Sequence, residues 1–131
     1  MRTPLVSVCL PNLNTLRYLP ERMESLLSQT FSDWEIVISD NYSEDGAWDF
    51  FQKFKGDDRI IMFQSPRAGM YANWNACLER ASGRYVYIAT SDDTSSPTML
   101  EKLVLPLERR PDIDLAVCQY DAIDENSRPF E

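Results

Sequence analysis

Short apolar runs alternate with stretches of helical spacing along nearly the whole chain, and that alternation constrains the fold more than any other feature. Leu5–Leu10, Trp34–Ser39, Ile60–Phe63, Tyr85–Thr90 and Leu115–Tyr120 are rich in β-branched, aromatic and other apolar residues and read as five strands. Between them, Leu16, Leu19, Met23, Leu26 and Leu27 recur at helical spacing, with Asn14 or Thr15 expected as N-cap and Pro20 tolerable near the helix start. Ala47, Phe50, Phe51 and Phe54 mark a second helix. Met70, Trp74, Cys77, Leu78 and Ala81 mark one face of a third, and Leu100, Leu103, Val104 and Leu107 a fourth that stops near Pro106 and Pro111. Strand–helix alternation with short connections predicts βαβ units and a parallel sheet, hence an α/β fold of one domain over residues 1–131.

The handedness of such crossovers brings the carboxyl ends of the strands to one edge, where open α/β sheets bind ligands. That edge collects Pro11–Asn14, Asp40–Gly46, Ser65–Gly69 and Ser91–Asp93. The fourth strand stops abruptly on Asp92 and Asp93, adjacent carboxylates of the kind that suit Mg²⁺ or Mn²⁺. Taken alone they could equally cap the next helix or sit in a solvated turn. Convergence of several polar loops on one edge favours a binding site.

The chain has a formal net charge of −8, which argues against nucleic acid or an anionic membrane as the main partner. A small anionic ligand remains compatible if a cation mediates. There are no histidines, which removes Ser-His-Asp and Cys-His catalysis and histidine-ligated zinc. Cys9, Cys77 and Cys118 are widely spaced in apolar segments and read as reduced, buried thiols of a cytoplasmic protein. No secretory signal or membrane-spanning apolar run is expected, and any association with the inner face of a membrane would come through regions outside this chain.

Four segments together resemble the inverting family-2 glycosyltransferases of the nucleotide-diphospho-sugar transferase (GT-A) fold: VSVCLPNLN from Val6, SLLSQTFSDWEIVISDNYSEDG from Ser25, the Gly69 loop with Asn73-Trp74-Asn75, and RASGRYVYIATSDD from Arg80. The resemblance runs from Val6 to about Tyr120 and implies a Rossmann-like, open, mostly parallel sheet flanked by helices. By resemblance, Pro11, Asn12 and Asn14 face the nucleotide of a sugar donor. Asp40 hydrogen-bonds the base, typically uracil, for whose imide N–H a carboxylate is a suitable acceptor. Asp92 and Asp93 bring Mn²⁺ or Mg²⁺ to the diphosphate, and the family's metal triplet here opens on Ser91 rather than an aspartate. Arg67 pairs with a phosphate or covers the base; a solvated loop arginine is the competing reading. Asn73 pins the Gly69 loop, while Trp34, Trp48 and Trp74 read as core or interface rings rather than sugar platforms.

The resemblance also implies transfer with inversion to a glycan, lipid or polymer acceptor, using a general base located after the fifth strand. Asp121, Asp124 and Glu125 follow that strand but read as a turn, so the base is expected beyond Glu131. The chain is accordingly expected to be the donor-binding half of a longer transferase, inactive alone. A truncated sheet would expose an apolar face and favour self-association. The alternative is a non-catalytic nucleotide-sugar-binding or interaction module with the same fold. A receiver-like or flavodoxin-like domain fits less well, because the first loop carries no acid.

Overall fold

A computed structural model describes residues 3–130. The expectation of a general base beyond Glu131 therefore falls outside the described residues, as does Glu131 itself. The elements run β1 (Val6–Asn12), α1 (Leu19–Leu27), β2 (Trp34–Asp40), α2 (Ala47–Phe51) with a 3-10 turn at Gln52–Phe54, β3 (Ile60–Gln64), α3 (Met70–Leu78), β4 (Tyr85–Ile88) and α4 (Met99–Arg109). The four strands form one parallel sheet in the order β3-β2-β1-β4. The chain therefore builds outward from β1 through β2 to β3, then returns to lay β4 on the other side of β1. That reversal opens a crevice beyond the carboxyl ends of β1 and β4.

The central strands β1 and β2 are buried along their whole length, and their side chains alternate between two cores. Val6, Val8 and Leu10, with Ile36 and Ile38, face the larger core formed with Leu19, Met23 and Leu26 of α1, Phe51 of α2 and Leu100 and Val104 of α4. Cys9 and Val37 face the other side, where Cys77 of α3 completes a smaller cluster beside Phe63 and Ile88. Trp34 is buried and Trp48 packs partly buried against the larger core, as expected.

Several boundaries differ from the sequence expectation. Helix α1 starts at Leu19 with Pro20 in its first turn, and Tyr18 stands at the N-cap without a side-chain cap bond. Asn14, one of the two expected caps, has φ 53° and is bonded across to the next loop instead. Helix α4 continues through Pro106 to Arg109. The ring removes the N–H that would serve the Lys102 carbonyl, and Lys102 is exposed, so water can replace that donor. On α3 the buried residues are Asn73 and Cys77, whereas Met70 and Leu78 of the expected face are exposed.

The largest departure is Leu115–Tyr120, which forms no strand and leaves Leu115, Val117 and Tyr120 78–90% exposed. Alternation alone does not make a strand; pairing to a neighbour does, and this segment does not pair with the outer edge of β4, which is free among the described residues. Cys118 is consequently exposed, against the expectation that all three thiols are buried. Cys9 and Cys77 are buried, and hydrogen bonding to Cys9 together with burial pushes the Cys77 thiol far up from the ordinary range. A chromogenic disulfide reagent should therefore titrate one fast thiol in the native protein and three after denaturation. Two or three fast thiols in the native state would contradict this packing.

At the amino end of the sheet, Gly83 N donates to Ser7 Oγ (2.8 Å), and Ser7 Oγ donates to the buried Glu35 carboxylate (2.6 Å). Ser82 N donates to the same Glu35 oxygen at 2.7 Å. Among the described residues, no helix is long and apolar enough to cross a membrane.

Candidate nucleotide-sugar site

Parallel register sets Asn12 beside Asp40 and Asp40 beside Gln64, so the ends of β1, β2 and β3 form one row. Asp40 has no exposed surface. Its Oδ1 accepts from Asn12 Nδ2 (2.8 Å) and Ser43 Oγ (2.6 Å), and its Oδ2 from Ser43 N (2.9 Å) and, more distantly, Gln64 Nε2 (3.4 Å). A buried carboxylate needs such donors, and here they come from three segments. Asp40 thus lies beneath the crevice floor and ties the first two site loops to the sheet.

Those loops are also laced to each other. Asn14 N donates to Ser43 Oγ (2.9 Å) and Glu44 N to Asn14 Oδ1 (2.8 Å). Leu16 N donates to Asp45 Oδ2 at 2.8 Å. Thr15 donates its hydroxyl to Asn12 Oδ1 and stands 2.8 Å from Ser91 Oγ, joining the first loop to the acidic one. On the other side, Asn73 Nδ2 of α3 donates to the Asn12 carbonyl (3.3 Å), which pins the Gly69 end of α3 to β1 as the sequence suggested.

These elements enclose a cavity of about 290 Å³ at the switch point, lined by Pro11, Asn12, Arg67, Asn73, Trp74 and Asp92 among others. Four of the anticipated site residues, Pro11, Asn12, Arg67 and Asp92, line it together. Asn14, Asp40 and Asp93 do not line it. Trp74 does, so it is a half-buried wall of the cavity rather than the core or interface ring expected. Sequence reasoning also passed over Thr15, Asn41 and Thr90, single polar residues whose role appears only when the loops meet. A larger groove of about 440 Å³, lined mostly by Pro20, Met23, Leu27, Phe50 and Phe54, lies between α1 and α2, away from these loops. It offers few groups that could hold an anion.

Arg67 is not a free cation. Its Nε donates to the Asn41 carbonyl (2.8 Å), and its Nη2 to the Tyr42 carbonyl (2.6 Å) and Glu44 Oε1 (2.9 Å). The side chain braces the 41–44 loop and also lines the cavity. Asp92 and Asp93 lie well before α4, whose N-cap is Thr98, so they do not cap that helix. Both are exposed; Asp93 accepts from the Thr90 hydroxyl. Asp124 accepts from Asn126 N (2.8 Å) and Arg128 N (2.9 Å), which makes the Asp124–Arg128 segment a turn, as read from the sequence.

The donor chemistry fits a hard divalent cation only in part. Among the described residues, no group of three or more His, Cys, Asp or Glu side chains is arranged to hold a metal ion. Mg²⁺ and Mn²⁺ sites that handle phosphorylated substrates, however, commonly take one or two carboxylates, with waters and phosphate oxygens completing the shell. Asp92 on the cavity wall with Asp93 beside it matches that substrate-completed arrangement and not a closed protein cage.

Comparison with known proteins agrees with the geometry. The protein named "Putative teichuronic acid biosynthesis glycosyltransferase TuaG" from Bacillus subtilis is 40% identical over 101 residues, covering 76% of this chain and 40% of its own length. Glycosyltransferase GlyG of Streptococcus pneumoniae is 31% identical over 128 residues, covering 96% of this chain and 42% of its own. The chain thus spans about two fifths of the curated relatives it matches. Among solved structures, Staphylococcus aureus TarS 1-349 in complex with UDP superposes with a TM-score of 0.75 at 24% identity, covering 81% of this chain and 32% of that one. That likeness bears on the fold. The model of the glycosyl transferase family 2 matches residues 7–131, and with the switch-point crevice, the Asp40 row and the Asp92 loop in place, the chain is a member of that family.

Proposed function

We propose that this chain is the donor-binding portion of a glycosyltransferase that moves a sugar from a nucleotide diphosphate, UDP in the first instance, to a glycan, lipid or polymer acceptor with inversion. The observation that carries the reading is the cavity at the β1/β4 switch point, lined together by Asn12, Arg67 and Asp92. TarS binds UDP and UDP-GlcNAc on the same fold, and a mannosyltransferase of Pyrobaculum calidifontis, superposing with a TM-score of 0.62, carries GDP-Man and Mn²⁺. The relatives' names support a place in polysaccharide assembly, which fits a cytoplasmic, donor-facing role.

In this reading Pro11 and Asn12 form the floor for the nucleoside, with Asn14 holding that floor to the 43–45 loop. The base contact assigned to Asp40 requires its longest bond, the 3.4 Å one from Gln64, to give way to the imide N–H of the base. Arg67 orders the 41–44 loop and offers its remaining donors to a phosphate. Asp92, assisted by Asp93, would hold Mn²⁺ or Mg²⁺. When bound, such an ion offsets diphosphate charge against the acidic edge and stabilises the departing nucleotide. No described residue is assigned as the general base.

Calorimetric titration with UDP, with and without Mn²⁺, tests the reading. Binding should depend on the ion, and Asp92→Asn should weaken the metal-dependent part by about ten-fold or more, with a smaller loss for Asp93→Asn. Equal affinity with and without Mn²⁺, unmoved by both substitutions, would remove the metal role. One observation favours the non-catalytic reading as runner-up: Ser91, buried and bonded to Thr15, stands where the family carries a first aspartate. Sugar transfer by a longer chain that includes the base separates the two.

A further inference from the structure

Arg22 lies on the buried stripe of α1 with Leu19, Met23 and Leu26, where helical periodicity calls for an apolar side chain. It is fully buried. Its Nη1 donates to Ser95 Oγ (2.8 Å) and its Nη2 to Tyr87 Oη (3.2 Å), while its Nε has no partner. The ion pairs among the described residues join Arg59 to Asp57, Arg67 to Glu44, Arg84 to Glu108 and Arg110 to Asp112, and none includes Arg22. A guanidinium buried without a carboxylate and with an idle donor is a poor way to stabilise a core; an apolar residue of similar volume often does better.

What the guanidinium touches suggests why it is there. Tyr87 belongs to β4, which leads into the acidic turn, and Ser95 lies just after Asp93. Arg22 therefore bridges the two legs of the loop that carries Asp92 and Asp93. The outgoing leg is further sewn to α1 and the residues just after it, because Ser95 N donates to Ser25 Oγ (3.2 Å) and Gln29 Nε2 to the Ser96 carbonyl (2.7 Å).

We propose that Arg22 is a positioning residue that clamps the two legs of the β4–α4 turn and so presents Asp92 and Asp93 to the donor diphosphate. Its effect on ligand binding rests on the donor-site reading above; its effect on the loop does not. Arg22→Met keeps the volume and removes the clamp. The variant should melt at or above the temperature of the parent chain. Hydrogen exchange in the peptide spanning residues 88–98 should accelerate by about ten-fold, with the rest of the sheet unchanged. Mn²⁺-dependent UDP affinity should fall by about ten-fold, the usual scale for one lost charge-assisted hydrogen bond, and Arg22→Lys should restore part of it. Ser95→Ala removes the loop end of the clamp while leaving the core of α1 intact, and should reproduce the local exchange effect. Unchanged exchange in the 88–98 peptide would overturn the proposal, as would a lower melting temperature with protection lost across the whole sheet. Absence of metal-dependent UDP binding in the parent chain would overturn the donor reading instead, and the exchange measurement would still decide the role of Arg22.

Discussion

Asp40→Ala is expected to cost about 3–5 kcal/mol, from the buried and half-buried donors it leaves without an acceptor at about 1–3 kcal/mol each. For a domain of this size that corresponds to a melting temperature lower by roughly 10–20 °C. The reason lies in what stays behind. Asn12 Nδ2 keeps only its 3.1 Å bond to Ser43 Oγ, and Ser43 N and the Ser43 hydroxyl lose the acceptor they share. Each orphaned buried donor costs about 1–3 kcal/mol, whereas an ordinary hydrogen bond contributes about half of that. The loop segments 12–16 and 41–45 should loosen together, since Asn14 and Ser43 link them. Uridine and UDP should then bind more weakly by the same factor, with or without metal. A thermal melt within about 2 °C of the parent would show that the carboxylate is not the keystone that its contacts describe. A loss confined to UDP would detach it from the base.

Gly83→Ala should also be damaging, though less so, for a purely steric reason at the other end of the sheet. A methyl group there would stand 2.6 Å from Ser7 N and 2.8 Å from both Ser7 Oγ and the Val6 carbonyl carbon. Two of those three atoms are main chain of the central strand β1, which cannot step aside. Overpacking of this kind costs about 1–3 kcal/mol, and displacement of Ser7 would also disturb its bond to buried Glu35. A fall of roughly 5–12 °C in melting temperature follows. Because the site lies at the opposite ends of the strands, the folded fraction should bind UDP as the parent does. An unchanged melt would mean that Gly83 has room the structure does not show. A changed affinity would mean that the two ends of β1 communicate.

Four strands and four helices were legible because each is local. Val6–Asn12 and Trp34–Asp40 are near-continuous apolar runs that fit burial on both faces. Pairing was legible only as a class: βαβ units imply a parallel sheet, but the order β3-β2-β1-β4 depends on which edge each crossover chooses. Leu115–Tyr120 shows the limit of pattern, since its alternation is sound and its exposure follows from the lack of a partner. The site divides in the same way. Asp92 and Arg67 announce themselves by charge at strand ends, and both line the cavity. Asp40 announces itself equally, yet neighbours remote in sequence bury it. Arg22 sits on the apolar stripe of its helix by spacing, but a charged residue there does not announce its partners; Tyr87 and Ser95, far along the chain, determine its surroundings.

The lacing around α1 has a mechanical consequence. The chain just before the helix supplies Thr15 to the first-loop side of the crevice, and the far half of the helix with the residues just after it grips the loop after the carboxylates through Ser25 and Gln29. A rod of nine residues is thus the gauge block that sets the separation between the two jaws. Adding or deleting one residue in it would slide the grip along the axis by about 1.5 Å and turn it by roughly 100°. Sequence can drift freely on the outer face of that rod, but its length is part of the site.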